Sequence, residues 1–278
     1  MPGVLYIVAT PIGNLDDITL RALRVLKEVD VIAAEDTRHT QILLRHHDIR
    51  TPLTSYHEHN ERAKSQDLVT RLARGQQIAL VSDAGTPAIS DPGFRLVVQA
   101  VRAGIRIVPI PGASALTAAL SASGLPTDRF VFEGFLPAKK SQRREELQTL
   151  RDETRTLIFY EAPHRLKEAL EDIYELLGNR DAVLAREVSK IHEEFRRGTV
   201  SELIGSLGNA ELRGEMTLMI SGSAGAPRVN EDLLKAEILE LKDQGLRVKE
   251  IAEVLGEKFG YPKKEIYRLA LRGARVNP

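Results

Sequence analysis

The 278-residue chain has no cysteine and no tryptophan. Without thiols there is no disulfide, no zinc–thiolate site, no iron–sulfur cluster and no cysteine nucleophile. An excess of one charge is also missing, since 39 Lys and Arg balance 39 Asp and Glu. That argues against a protein that coats polyanions by net charge alone. It leaves nucleic acid open, because the distribution of charge matters more than its sum. Long hydrophobic runs are absent as well; none reaches the roughly 18 residues that span a bilayer. The opening MPGVLYIVATPIG has no basic n-region and reads as a first buried strand rather than a signal peptide. These absences predict a cytoplasmic protein of bacterial type with no membrane partner.

With 42% hydrophobic and 28% charged residues the composition is that of a soluble globular protein. Its length predicts two domains and a small extra unit. From residue 4 to about 122, apolar strand runs such as VLYIVA, VDVIAA and QIALV alternate with helical patterns. That rhythm predicts a parallel sheet covered on both faces, here assigned to a domain 1–123. After GLPTDRF (124–130) strand patterns follow one another more often, which predicts a mixed sheet with helices in a second domain, 124–223. SAGAPRVN (223–230) reads as a linker. Three short helical patterns follow in 229–278, separated by Gly245 and GYP, and resemble a helix-turn-helix-type bundle.

Two loops stand out at strand ends. LVSDAGTPAISDPG (80–93) is long for a strand–helix connection, and it is rich in small and stiff residues. Glycine there lets the backbone approach a ligand, and Asp83 offers an acceptor to a ribose or an amine. PGASALTAAL (111–120) repeats the arrangement, with Ser114 at a helix start where it serves either an anion site or a plain N-cap. In an open parallel sheet, ligands bind at the carboxyl ends of strands. VATPIGNLDD (8–17) carries one glycine and no dinucleotide fingerprint. SYHEHN (55–60) brings His57 and Glu58 together; a metal site, a base and plain helix-start polarity are all open there. Basic residues cluster at Lys139, Lys140, Arg143 and Arg144, and again at Lys263, Lys264, Arg268, Arg272 and Arg275. Such clusters are either solvated faces or nucleic-acid contacts.

ATPIGNL, AEDTR, HEHNE, SDAGTPAISDPG, PGASALTAAL, SGLP, FEGFLP, EAPHRL and RGEMTL occur in that order. This series resembles the tetrapyrrole-methylase superfamily, and within it the ribosomal small subunit methyltransferase I family, over residues 4–222 and the helical tail. The resemblance implies two α/β domains, S-adenosyl-L-methionine held between them, and a homodimer. It also implies 2'-O-methylation of a cytidine ribose in the decoding region of 16S rRNA within the small ribosomal subunit. Carried onto this sequence, the cofactor contacts are Pro11, Asp83, Ala84, Gly85, Ala88, Ile89, Ser114, Ala115, Glu161, Val188 and Thr217. Glu161 stands where the superfamily pattern often has a small or sulfur-containing residue.

A sulfonium methyl is already activated, so positioning and desolvation supply much of the rate. A ribose hydroxyl is a poor nucleophile near neutral pH and benefits from an acceptor. Polar clustering near strand ends makes Asp36, His57 and Glu58 the candidate catalytic residues. Arg38 is a candidate phosphate contact, with Lys139, Lys140, Arg143, Arg144, Lys263, Lys264 and Arg268 as further RNA contacts. No metal is expected. A small-molecule methyltransferase on the same fold and a non-enzymatic nucleic-acid-binding regulator are the alternatives.

Overall fold

The computed structural model describes residues 1–208, 213–224, 231–259 and 263–272. Residues 1–151 and 155–221 form one compact unit that holds two five-stranded sheets. The first contains β1 (Val4–Val8), β2 (Val31–Ala34), β3 (Leu53–Ser55), β4 (Ile78–Val81) and β5 (Arg106–Ile110), in the order β3-β2-β4-β1-β5. Every pairing in it is parallel. β2 and β4 are buried at every position, as strands covered on both faces must be. The three residues of β3 were too few to read as a strand in the sequence.

Two helix pairs cover this sheet on opposite faces. α1 (Leu20–Glu28) and α2 (Thr37–His46) pack Leu26 and Leu44 against Val8, Ile32 and Val81. α3 (Glu61–Ala73) and α4 (Phe94–Arg102) pack Leu68, Leu72 and Leu96 against Leu5, Ala33 and Leu80. The chain leaves β1 toward β2 over one face and leaves β4 toward β5 over the other. β1 and β4 are neighbours, so their exit loops diverge and open a crevice at the strand ends. Thr10 and Gly85 bridge these two loops with reciprocal backbone hydrogen bonds of 2.9 and 3.0 Å.

α5 (Ala115–Ser123) leaves the first sheet and packs on the second. Ala119 and Leu120 meet Ile158, Val183 and Met219 there. Gly124, at φ +85°, ends the helix in the left-handed conformation that glycine adopts without strain. The second sheet contains β6 (Phe130–Phe135), β7 (Thr156–Glu161), β8 (Asp181–Arg186), β9 (Glu194–Thr199) and β10 (Met216–Ile220), in the order β6-β7-β10-β8-β9. It is mixed: β6 and β7 are parallel and the other pairs antiparallel. The expectation that strands follow one another holds only for β8 and β9. α6 (Lys140–Thr149), α7 (Leu166–Leu177) and α8 (Val200–Ser206) separate the others and pack their apolar faces on the side opposite α5. α8 starts at a Thr199/Glu202 capping box.

The second unit comprises residues 152–154 and 222–278. Its helices α9 (Glu231–Asp243), α10 (Val248–Phe259) and α11 (Lys263–Arg272) share a core of Leu234, Ile238, Ile251, Leu255 and Ile266. Most of the 223–230 linker, the GYP turn and Arg275 lie outside the described residues, as does the side chain of Arg272. No helix among the described residues is long and apolar enough to cross a membrane.

Candidate active site

A cleft of about 400 Å3 lies where the 82–93 loop meets the ends of β7 and β10. That is the size range of small-molecule and cofactor sites. One wall is Asp83, Ala84, Gly85, Thr86, Ile89, Ser90 and Asp91; Ser114 and Ala115 continue it at the start of α5. The opposite wall comes from the C-terminal end of β7 and the N-terminal end of β10, where Glu161 pairs with Met216 and Tyr160 with Thr217. Val188 completes it.

The loop is held in an uncommon shape. Gly85 sits at φ +80°, and two residues with side chains, Ala88 and Ser90, sit at φ +70° and +61°. Left-handed non-glycine residues cost about 1–3 kcal/mol each, and they cluster where geometry serves a ligand. Gly93 permits this packing: a Cβ there would lie 2.9 Å from Leu80 Cδ2 and 3.2 Å from Ala88 Cβ. Ser114 caps α5 by position only and makes no side-chain cap bond. The hydroxyl is therefore not used as a side-chain cap, and the residue lines the cleft. Tyr160 Oη accepts the Leu116 N–H at 3.2 Å, which ties the start of α5 to β7.

The electrostatics are one-sided. Five carboxylates line the cleft, Glu35, Asp83, Asp91, Glu161 and Glu215, with no Lys, Arg or His among the described lining residues. Burial raises Glu35 above the usual carboxylate range, and the neighbouring Asp83 charge adds to it. Burial pushes Asp91 up to about 6; the charges of Glu35, Asp83 and Glu215 reinforce this against a hydrogen bond from Ser82. Burial likewise raises the Tyr160 phenol. Glu161 is buried with one oxygen saturated: Oε1 accepts from Arg165 Nε at 2.9 Å, Arg165 Nη2 at 2.6 Å and Ala162 N–H at 2.8 Å. Its Oε2 is buried and has no partner. A cationic ligand with N–H donors relieves both conditions, by offsetting the clustered negative charge and by donating to the open oxygen. A sulfonium centre beside an α-ammonium group is such a ligand. Among the described residues no three acidic or histidine side chains converge as a metal site.

Nine of the eleven expected cofactor contacts line this cleft. The exceptions are Ala88, which packs beneath Gly93, and Pro11, which lines a neighbouring cavity. Three lining acids, Glu35, Asp91 and Glu215, were not anticipated, and neither were Tyr160 and Phe135. The expected catalytic trio does not assemble in the cleft. Asp36 is the N-cap of α2 and gives its carboxylate to Arg38, at 2.8 Å to the backbone N–H and 3.1 Å to Nη2. Glu58 lines an adjoining surface cleft that shares Glu35, Ser90 and Asp91 with the main one. His57 is half-buried, with Nε2 3.1 Å from Asn60 Nδ2, and lines neither.

The RNA candidates divide as well. Lys139 and Lys140 are exposed at the start of α6, and Lys263, Lys264 and Arg268 are exposed on α11. Arg143 is buried, 1% exposed, and paired with Asp172 and Glu168. Arg144 is spent on Asp172 and Glu175. Arg143 is therefore removed as a surface contact, because the i, i+3 and i+4 spacing on α6 turns it onto α7.

The profile of the tetrapyrrole (corrin/porphyrin) methylases matches residues 4–204. Among solved structures, uroporphyrin-III-C-methyltransferase from Thermus thermophilus is similar with a TM-score of 0.57 and 25% identity, covering 79% of this chain and 94% of that one. A diphthine synthase shares the fold at a TM-score of 0.59 and 15% identity, over 79% of this chain and 90% of that one. Among curated proteins, the ribosomal RNA small subunit methyltransferase I of Pseudomonas aeruginosa is 52% identical over 97% of both chains. That of Halalkalibacterium halodurans is 49% identical over 96% of this chain and 94% of its own. These matches reach through the helical tail, which lies beyond the 4–204 profile. The chain belongs to the tetrapyrrole methylase family and, within it, to the ribosomal RNA small subunit methyltransferase I family, and it is an S-adenosyl-L-methionine-dependent methyltransferase.

Proposed function

We propose that the protein methylates the 2'-hydroxyl of a cytidine ribose in the decoding region of 16S rRNA, within the small ribosomal subunit, as a cytoplasmic homodimer. The observation that carries the reading is the cleft lined by five carboxylates and no cationic side chain, with Glu161 Oε2 left without a partner, at the β1/β4 crevice of a chain whose relatives are named for the methylation of small-subunit rRNA.

Bound S-adenosyl-L-methionine supplies an activated methyl group. The residues of this chain hold and shield it. Gly85 and Ala84 bring backbone close to the cofactor, Glu161 Oε2 accepts an N–H, and the remaining acids favour its positive charge over the neutral product. Tyr160 and Phe135, 5.6 Å apart between ring centroids, form an apolar side that excludes water. Asp83 lines both the cleft and the neighbouring cavity bounded by Pro11 of the first loop, and it is assigned the 2'-hydroxyl hydrogen bond, in place of Asp36, His57 and Glu58. The same fold serves tetrapyrrole and diphthine enzymes, so the substrate is decided by surroundings rather than by fold. The exposed lysines of α6 and α11 support an RNA.

The test is to map 2'-O-methyl sites on small-subunit rRNA from cells with and without the protein, and to restore them in vitro with purified protein and tritiated cofactor. One cytidine is expected to lose and regain its methyl group. Restoration on a base atom, or on no rRNA site, would overturn the reading.

A further inference from the structure

A second cavity of about 270 Å3 adjoins the cofactor cleft, bounded by Pro11 of the first loop, His39, Thr40 and Ile42 of α2, and Lys190. Asp83 lines both spaces. The partition is completed by Lys190, whose Nζ pairs with Glu187 at 2.9 Å and with the cleft residue Glu215 at 3.2 Å. The turn that carries Lys190 is fixed over the cavity by left-handed residues, Glu187 at φ +51° and Ser189 at φ +70°. A hydrogen bond from Ser189 Oγ to Asp17 of the first loop holds it there.

Two features mark this space as a binding site rather than a packing gap. Thr40 is 3% exposed, lines the cavity, and its Oγ1 has no hydrogen-bond partner. A buried hydroxyl without a partner carries an unrecovered desolvation cost, which a ligand offering a donor or acceptor would offset. Outside, Arg38, Gln41, Ile42 and Arg45 line a shallow groove along α2 that meets the cavity at Ile42. Arg38, Gln41 and Arg45 recur on one helix face. Arg45 has no ion pair among the described residues, so its charge is available to a phosphate.

The geometry points to this cavity as the receptor for the target nucleoside. The RNA strand runs along the Arg38–Arg45 face of α2, one base is splayed into the cavity against Thr40, and its ribose lies at Asp83. Sequence-specific recognition of RNA ordinarily uses such unstacked bases. The inference rests on RNA being the substrate, and it adds the pocket and α2, which neither basic cluster nor the tail supplies.

Small ribosomal subunits from cells lacking the protein are the probe. T40V should lower kcat/KM on these particles about tenfold, the loss of one buried hydrogen bond. Cofactor affinity should be unchanged, Tm should not fall, since valine removes a buried hydroxyl that has no partner, and T40S should restore the rate. R45A should raise KM for the particle and reduce the salt dependence of binding by about one ion. A photo-crosslinking p-benzoylphenylalanine in place of Ile42 should attach to the methylated nucleotide or its neighbours. If wild-type protein methylates the particle while T40V stays within twofold of it, or the crosslink maps elsewhere or fails to form, the nucleoside cavity is wrong. If wild-type protein methylates no particle, the rRNA reading itself fails.

Discussion

Two assemblies of charged side chains in the same compact unit behave in opposite ways. On α6 and α7, Asp172 is 3% exposed and accepts from Arg143 at 2.8 Å and Arg144 at 2.7 Å. Burial alone would raise its pKa, but the two arginine hydrogen bonds outweigh that and hold it below the usual carboxylate range. In the candidate cleft, Glu35 and Asp91 are half-buried, face further acids, and rise instead. The residue types are alike; the difference is whether the fold supplies the counter-ion. Where it does, the charges hold two helices together. Where it does not, the site retains an unmet demand for positive charge, which a cationic ligand would meet.

The widest break in this comparison is expected at Arg143. R143A leaves Asp172 buried with one partner fewer, and removing one member of a buried pair costs about 3–5 kcal/mol. Urea unfolding should show that loss, with cofactor affinity preserved in the folded fraction. In the cleft the order reverses: E161Q keeps the shape but removes the charge and replaces an acceptor. Cofactor binding by calorimetry should weaken about ten- to a hundredfold, since hydrogen bonds to charged groups are worth about 1.5–3 kcal/mol. The smallest effect concerns Asp91. Its folded pKa of about 6 exceeds the ordinary value of 3.8, so the folded protein holds an extra proton between them. Stability therefore falls as pH rises through that window. D91N should stabilise the cofactor-free protein above pH 6 by about 1 kcal/mol, after discounting for partial solvent screening, and the gain should vanish near pH 4. A Tm series from pH 4 to 8 checks this; a gain that persists at pH 4 would mean the carboxylate is not the cause.

Much of the site was legible because it lies in contiguous loops. Asp83, Gly85 and Ser114 follow strands whose apolar runs end abruptly, and strand ends are where a parallel sheet places ligands. Glu35 was missed by a single position in favour of Asp36. Yet an Asp followed by Thr-Arg-His at a helix start is an N-cap pattern, and capping consumes its carboxylate. Asp91 and Glu215 gave no local signal, because one depends on burial within its own loop and the other on a strand remote in sequence. Arg143 and Arg144 looked like surface charge because the composition of α6 is polar; their partners lie on α7, some thirty positions on.

The sequence by itself determined the alternation of strands and helices in the first sheet, the tail's three helices and the family, since apolar periodicity and ordered motifs are local properties. Tertiary structure alone decided which charges are spent. It turned Arg143 inward, left Glu161 Oε2 and Thr40 Oγ1 without partners, and set Asp83 between two cavities. Charge and hydrogen-bonding capacity belong to the residue, but whether they are satisfied depends on neighbours that only the folded chain brings within about 3 Å.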